Sequence, residues 1–199
     1  MTIVQILGNN GSGKSTIFKT IAKLGAGVMS DAAPGLTRVP SLGGVMLGDY
    51  MPDGRKTPGC DAIGGGGGKA GILAGLDAAL GMVRISKGTW VGLEGIIIMT
   101  RQYHHEYLAR GVDRVVYVEL QAPLDLCFQR IEERNGKRRE DLKGNGERVV
   151  VRAPSIVALC KWLEQQPKAE MVRMDSSKSK RILAEDVLRL VGLRIRTPI

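Results

Sequence analysis

The chain has 199 residues, a length that favours one domain with a substantial hydrophobic core. Its 29 lysines and arginines outnumber its 20 acidic residues, and the net charge of +9 fits either an anionic partner such as nucleic acid or a basic surface that keeps the protein soluble. No apolar stretch reaches the length of a membrane span and no signal-peptide pattern precedes the first predicted strand, so we expect a cytoplasmic protein.

The three cysteines, Cys60, Cys127 and Cys160, are far apart and show no metal-ligand spacing. This pattern is typical of reduced thiols in a reducing compartment. Because Cys127 and Cys160 stand in apolar stretches of helical character, we expect both to be small core residues.

A glycine-rich run follows the first apolar stretch, Ile3 to Leu7, which is predicted to be a β-strand. The run matches the phosphate-loop pattern G-x-x-x-x-G-K-[ST], and a helix is predicted after it, over about 14–24. A preceding strand and a following helix are the context that this motif requires. The residues of the run are Gly8, Asn9, Asn10, Gly11, Ser12, Gly13, Lys14, Ser15 and Thr16.

The residue types in this loop suit a polyphosphate for separate reasons. Glycines at positions 8, 11 and 13 let several backbone N–H groups converge on an anion without an obstructing Cβ. Lys14 is expected to reach the β- and γ-phosphates, and the Ser15 hydroxyl to bind Mg²⁺. The positive end of the helix dipole adds to the same site. The motif therefore predicts ATP and Mg²⁺ as the cofactors.

A short second strand is predicted at Val28 to Ser30, just before Asp31. A carboxylate at the carboxyl end of a parallel strand faces the crevice where ligands bind, which makes Asp31 a candidate base or magnesium-side group. A role as an N-cap or turn residue is the alternative. Arg38 is either a contact for an acceptor phosphate or a solvated side chain.

Residues 41–75 show neither helical nor strand periodicity, and they include five consecutive glycines at 64–68. Because ordering five glycines is entropically costly, stability does not explain them. A loop this long inside a compact domain is usually functional or disordered. We interpret it as an acceptor-binding segment that closes over substrate, with Tyr50 and Asp61 as candidate contacts; disorder without function is the alternative.

A helix over about 73–87 is followed by a predicted buried strand, Thr89 to Leu93, and then by Glu94. Phosphoryl-transfer folds of the phosphate-loop type place an acidic group here, where it holds Mg²⁺ through water or orients the attacking group. Gly95 next to it permits close approach of a ligand. The alternative role for Glu94 is to cap a helix that begins near Ile96.

The helix predicted over 96–110 carries Arg101, Tyr103, His104 and His105. Adjacent histidines point to different faces of a helix and do not chelate one metal, so we expect both at the surface or in a supporting position. Arg101 and Tyr103 are better placed for the rim of a pocket.

The clearest strand, Val115 to Leu120, precedes a helix predicted over about 124–133. Arg130 and Arg134 lie at its end, and more basic residues follow. The segment at about 130–148 is therefore a candidate lid whose arginines fold over the nucleotide and neutralise charge during transfer. A solvated, charged helix end is the alternative.

A helix at about 153–166, a strand at 169–174 and a helix at 181–190 complete the predicted elements. Strands and helices thus alternate along nearly the whole chain. This order implies an α/β fold in which a parallel sheet of about five strands carries helices on both faces.

The chain resembles the nucleoside monophosphate kinase-like group of P-loop kinases in its glycine loop with Lys14-Ser15, its short strand before Asp31 and its arginine-rich lid. A narrower similarity, to phage P-loop kinases that phosphorylate 5-hydroxymethyluracil within DNA during thymine hypermodification, lies in GDY at 48–50, GCDAI at 59–63, LEG at 93–95 and APLDLC at 122–127. The five-glycine run and the lack of an acidic pair after the third predicted strand depart from the family pattern.

The resemblance implies transfer of the γ-phosphoryl group of ATP to the hydroxymethyl group of this base in DNA, with Asp31 or Asp61 accepting the hydroxyl proton. One alternative is a kinase of a free nucleoside monophosphate or another small metabolite, which would share the donor-side residues. The alternative outside the kinases is a nucleotide-binding switch or ATPase. The expected catalytic residues are Lys14, Asp31, Asp61, Glu94, Arg130 and Arg134, and the expected substrate contacts are Arg38, Tyr50, Asp61 and Arg101.

Overall fold

Strands and helices alternate along the chain in the computed structural model, which describes residues 1–31, 33, 35–51, 59–136 and 145–193. None of the helices in these ranges is long and apolar enough to cross a membrane. The elements are β1 (Thr2–Leu7), α1 (Lys14–Leu24), β2 (Val28–Met29), β3 (Leu36–Val39), a 3-10 turn (Pro40–Leu42), β4 (Gly44–Leu47), α2 (Cys60–Ile85), β5 (Trp90–Glu94), α3 (Arg101–Ala109), β6 (Arg114–Gln121), α4 (Leu124–Asn135), α5 (Asn145–Leu163), β7 (Ala169–Asp175) and α6 (Lys180–Leu190).

Within the described residues, the sheet has seven strands in the order β2-β3-β4-β5-β1-β6-β7. Strands β4, β5, β1, β6 and β7 are parallel to one another, and β3 runs antiparallel to both of its neighbours. The α/β class and the mostly parallel sheet are confirmed, whereas the predicted number of strands is wrong. The sequence pattern missed β3 and β4 because each has four residues and nearly all of them are buried, so neither alternates between polar and apolar side chains.

Side chains of β1 alternate between two cores, one on each face of the sheet. Ile3 and Leu7 belong to the core beneath α2, α3 and α5, while Val4 and Ile6 belong to the core beneath α1 and α6. Helices therefore cover both faces, as predicted. Because β1 is buried on both sides, it fixes the position of the loop that follows it.

Segment 41–75 differs most from its prediction. It contains β4 and the first half of α2, which begins at Cys60 instead of near residue 73. The helix runs through the glycines at 64–68 and departs from helical geometry at Gly68, where φ is 55° and ψ is −143°. Glycines supply no side chains whose spacing could reveal a helix, so the pattern becomes visible only further along. Residues 52–58 lie outside the described part of the chain.

Two other helices begin at different places from those predicted. Helix α3 begins at Arg101 with Thr100 as its N-cap, so Glu94, the last residue of β5, does not cap it. Helix α5 begins at Asn145, before the predicted start at about 153. Prolines are typical of the first turn of a helix, where the prediction had placed Pro154, but here the helix continues through it. The middle of the predicted lid, residues 137–144, lies outside the described residues.

The prediction for the buried cysteines is confirmed. Cys160 packs in the core beneath α2, α3 and α5, and Cys127 packs in a small cluster with Phe128, Ile131 and Val149. Burial raises the pKa of both thiols, that of Cys160 to about 12. Both side chains are therefore neutral packing groups.

Candidate nucleotide and acceptor site

The phosphate loop connects the buried end of β1 to the first residue of α1. Gly8, Gly11 and Gly13 have φ values of 143°, 79° and 99°, a region that side-chain-bearing residues rarely adopt. A Cβ on Gly11 would overlap with the carbonyl oxygen of Cys127 on α4. All three glycines are thus required by the path of the loop, and Gly11 is also required by the helix packed against it.

Polar groups converge inside this loop. Lys14 is only 7% exposed, and its Nζ donates hydrogen bonds of 2.8 and 2.9 Å to the carbonyl oxygens of Gly8 and Asn9. Asn9 Oδ1 and Ser12 Oγ are buried without a hydrogen-bond partner among the described residues. A buried polar atom without a partner is costly, and the Ser12 hydroxyl can donate a hydrogen bond to a phosphate oxygen, so this hydroxyl fits a site that is completed by an anionic ligand. The residues present therefore fit a bound polyphosphate.

A buried carboxylate lies beside the loop because β5 is adjacent to β1. Ser15 Oγ donates a hydrogen bond of 2.8 Å to Glu94 Oε1, and Glu94 is 3% exposed. The Tyr50 hydroxyl donates to the same oxygen at 3.2 Å. A Cβ on Gly59 would overlap with Glu94 Oε1, so the residue before α2 lies directly against the carboxylate. Magnesium prefers oxygen ligands, and the Ser15 hydroxyl with Glu94 suits that ion.

Arg130 joins the phosphate loop to the loop after β7. Its Nη1 donates to the carbonyl oxygens of Gly11 and Ser12 at 3.3 and 3.2 Å. The same nitrogen donates to Ser176 Oγ at 3.3 Å, and Nη2 donates to Ser176 O at 2.9 Å. The guanidinium fork thus spans two loops at the edge of the phosphate site.

The remaining predicted site residues are more dispersed. Asp31 is exposed after β2, which lies four positions from β1 in the sheet, and Arg38 is exposed on β3. Arg134 is exposed in the last turn of α4. Arg101 is exposed on α3, with its guanidinium carbon 5.3 Å from the centroid of the Trp162 ring.

Two predicted substrate contacts occupy other surroundings. Tyr50 is fully buried, and its hydroxyl bonds to Glu94 and to Leu47 O. Asp61 lies in the first turn of α2, two residues after Gly59, and its side chain lies outside the described part. The structure thus brings the phosphate loop together with Glu94, Tyr50 and Arg130.

Sequence reasoning overlooked Asp49 as a candidate. It lies two residues after β4, whose carboxyl end is next to that of β5 in the parallel part of the sheet. Its Oδ1 accepts a hydrogen bond from the Met51 N–H at 3.2 Å. The signal for this position is a strand followed by an acidic residue, and it was missed because β4 itself was missed.

The two histidines of α3 occupy different environments, one at the surface and one in a supporting position, which are the two places expected for them. His105 is exposed, but His104 is buried, and its Nδ1 is 2.9 Å from the Tyr117 hydroxyl. Burial lowers the pKa of His104, the nearby His105 lowers it further, and the Pro167 carbonyl opposes both effects. The charged form of His104 is therefore disfavoured in the folded protein.

A cavity of about 610 Å³ opens beside the start of the phosphate loop. It lies between the carboxyl ends of β6 and β7 and one side of α5. Its lining residues are Gly8, Asn9, Glu119, Leu120, Gln121, Ala122, Pro123, Ala153, Ile156, Val157 and Asp175.

The chain is similar to a curated phage protein and to a solved kinase structure. No family model matches the chain. A protein of Pseudomonas phage M6 named 5-hmdU DNA kinase is 28% identical over 161 residues, which cover 76% of this chain and 83% of the relative. This similarity confirms the resemblance seen in the sequence motifs. Together with the phosphate loop and the parallel sheet, it supports a P-loop kinase. Among solved structures, shikimate kinase from Acinetobacter baumannii in complex with shikimate aligns over 96% of this chain and 92% of its own, with 17% identity and a TM-score of 0.46.

Proposed function

We propose that this P-loop kinase transfers the γ-phosphoryl group of ATP to the hydroxymethyl group of 5-hydroxymethyluracil in DNA. The observation that carries the donor half is the contact of Ser15 with Glu94 next to Lys14, at the mouth of a loop with the geometry of a phosphate cradle. The acceptor half is supported by the similarity to the phage protein named 5-hmdU DNA kinase. The net charge of +9 fits a polyanionic substrate.

On the donor side, the residues act by position and charge. The backbone N–H groups of residues 8–16 and the N-terminus of α1 bind the phosphates, and Lys14 exchanges its two carbonyl partners for phosphate oxygens. Ser15 and Glu94 would hold Mg²⁺, which neutralises charge on the β- and γ-phosphates when bound. Arg130 holds the loop against Ser176, and Arg134 is the proposed lid arginine.

On the acceptor side, the hydroxymethyl oxygen forms a bond to the γ-phosphorus while the bond from that phosphorus to the bridging oxygen of ADP breaks. The hydroxyl proton passes to a carboxylate. We propose Asp61 for this role, because Gly59 two residues earlier lies against Glu94, and Asp49 as the second candidate. Asp31 is less favourable because its strand lies four positions from β1 in the sheet. Tyr50 would hold Glu94 in place from its buried position.

The proposal is tested with γ-³²P-labelled ATP and three acceptors offered separately. These are duplex DNA containing 5-hydroxymethyluracil, the same duplex with thymine, and free 5-hydroxymethyl-dUMP. We expect label in the first acceptor alone, with incorporation falling steeply as salt rises. Label found only in the free nucleotide would instead establish a kinase of small molecules, and phosphate release without any labelled acceptor would support an ATPase.

A further inference from the structure

We propose that the cavity beside the start of the phosphate loop receives the target base itself, turned out of the DNA stack. This inference rests on the proposed function and adds to it the place where the base is bound. Enzymes that act on a base within a duplex must extrude it into a pocket, because the reacting atom is inaccessible in the stack. The pocket has to hold one base and direct its reactive group at the second substrate.

The size and lining of the cavity fit one pyrimidine nucleotide. Its volume of about 610 Å³ falls within the range of about 300–1,000 Å³ that is usual for small-molecule sites. Leu120, Pro123, Ile156 and Val157 provide apolar walls for the faces of the ring. Val157 is 48% exposed and lies on α5, so this wall is open to a base that arrives from outside.

Polar groups of the cavity match the edge of a uracil ring. That edge presents one N–H donor between two carbonyl acceptors, and the side-chain amides of Asn9 and Gln121 offer both donors and acceptors. Asn9 Oδ1 is buried without a hydrogen-bond partner among the described residues. A rotation of the Asn9 side chain toward the base would let this oxygen accept a hydrogen bond from the ring N–H and would satisfy it. The Glu119 carboxylate pairs with Arg173 at 3.1 Å and is already occupied.

The cavity also lies at the correct end of the phosphate loop for an acceptor. It contacts Gly8 and Asn9, the two residues whose carbonyl oxygens hold Lys14 Nζ. The cavity is on the β6 side of β1 and Glu94 is on the β5 side. A hydroxymethyl group on a base in the cavity would therefore have to reach across the phosphate loop, past this amine, to meet the carboxylate that takes its proton. The helix end of the loop and Arg130, which lie on the donor side in our proposal, do not line the cavity.

The test is to fill the cavity from α5. Ala153→Trp and Val157→Trp place an indole at the lining, and Ala158→Trp places one on the exposed side of the same helix as the matched control. We expect the first two variants to raise the KM for 5-hydroxymethyluracil DNA by about tenfold or more, the loss expected when one well-fitted contact is removed. The Kd for Mg-ATP should stay that of the wild type in all three.

If an indole disturbs folding, Gln121→Ala is a second variant that only shortens one side chain at the end of β6. It should raise the KM for modified DNA in the same direction, and a 2-aminopurine beside the target base should show less fluorescence increase on binding. A KM like that of Ala158→Trp in all cavity variants, or a weakened Kd for Mg-ATP instead, would overturn the inference while the wild-type enzyme still phosphorylates DNA. Failure of the wild-type enzyme to phosphorylate this DNA would overturn the proposed function, and the inference with it.

Discussion

The Ser15 hydroxyl donates a hydrogen bond of 2.8 Å to Glu94 Oε1, which joins the phosphate loop to the end of the neighbouring strand β5. The two residues are 79 positions apart in the sequence and meet because β5 lies beside β1, with Ile6 paired to Glu94. A buried carboxylate held against the phosphate-loop hydroxyl is suited to control magnesium and the transferred group.

Glu94→Gln should abolish most of the phosphoryl transfer without unfolding the protein. Glutamine keeps an oxygen that can accept from Ser15, but it removes the negative charge that would face Mg²⁺. We expect kcat to fall by about a hundredfold or more, while the melting temperature changes little. Single-turnover transfer and thermal denaturation measure the two effects.

Tyr50→Phe is the matched control for that variant. It removes one hydroxyl contact to Glu94 and keeps a ring packed at 5.2 Å from Phe18. Transfer should fall by less than in Glu94→Gln, because the carboxylate and its Ser15 contact remain. If Glu94→Gln is as active as the wild type, the Glu94 carboxylate has no role in phosphoryl transfer.

Arg130→Ala should weaken ATP binding. The guanidinium donates to the phosphate loop and to Ser176 at the same time, so its removal frees both loops. We expect the KM for ATP to rise by about tenfold. Arg130→Lys should not restore it, because an ammonium group cannot reproduce the planar fork.

Gln129→Ala on the exposed side of α4 is the control for Arg130, since Gln129 contacts only Glu133 in its own helix among the hydrogen bonds of the described residues. Its KM for ATP should match the wild type. Equal KM values for Arg130→Ala and Gln129→Ala would show that the contact does not support nucleotide binding.

Gly11→Ala should destabilise the protein and its nucleotide site together. The new methyl group would require a φ of 79° and would overlap with the Cys127 carbonyl oxygen. We expect a loss of about 2 kcal/mol or more in the free energy of unfolding. Chemical denaturation measures the loss.

Gly81→Ala is the control for Gly11→Ala, because a Cβ at this position in α2 meets no heavy atom within 4 Å in the described structure. Alanine in a helix interior should stabilise the fold by about 0.5–1 kcal/mol. If both variants lose stability equally, crowding at Gly11 is not the cause.

Stability should decrease in mild acid through His104. Its pKa is lowered in the folded state, chiefly by burial, so the unfolded chain binds the proton more readily. The free energy of unfolding is therefore undiminished by this residue above the unfolded pKa of about 6.5, and it decreases as the pH falls below that value. His104→Gln should therefore show a smaller drop in melting temperature between about pH 7.5 and 5.5 than the wild type. His105→Gln, at an exposed position, should keep most of that drop, and an identical pH profile for the wild type and His104→Gln would contradict the assignment.

The sequence was informative where local chemistry determines structure. The phosphate loop was predicted from its glycines and lysine, and helix α1 begins and ends where the pattern indicated. Strand β6 was predicted from its run of valines, and the burial of Cys127 and Cys160 from apolar helical spacing.

The rest of the site depends on contacts between distant parts of the chain. The hydrogen bond from Tyr50 to Glu94 and the packing of Gly59 against that carboxylate follow from strand order and have no signal in either local sequence. Short buried strands such as β4 lack alternation, so Asp49 could not be placed at the edge of the sheet. The glycines of α2 concealed a helix because they carry no side chains to show its period.

The most direct test is the stoichiometry of transfer. In one reaction with 5-hydroxymethyluracil DNA, ADP formed from ATP and phosphate esterified to the DNA base are measured for the wild-type protein and for Lys14→Ala. We predict one ADP for each phosphate in DNA with the wild type, and neither product with Lys14→Ala, which should retain the wild-type fold. Formation of ADP without phosphorylated DNA, or full transfer by Lys14→Ala, would contradict the assignment of a DNA kinase that acts through this phosphate loop.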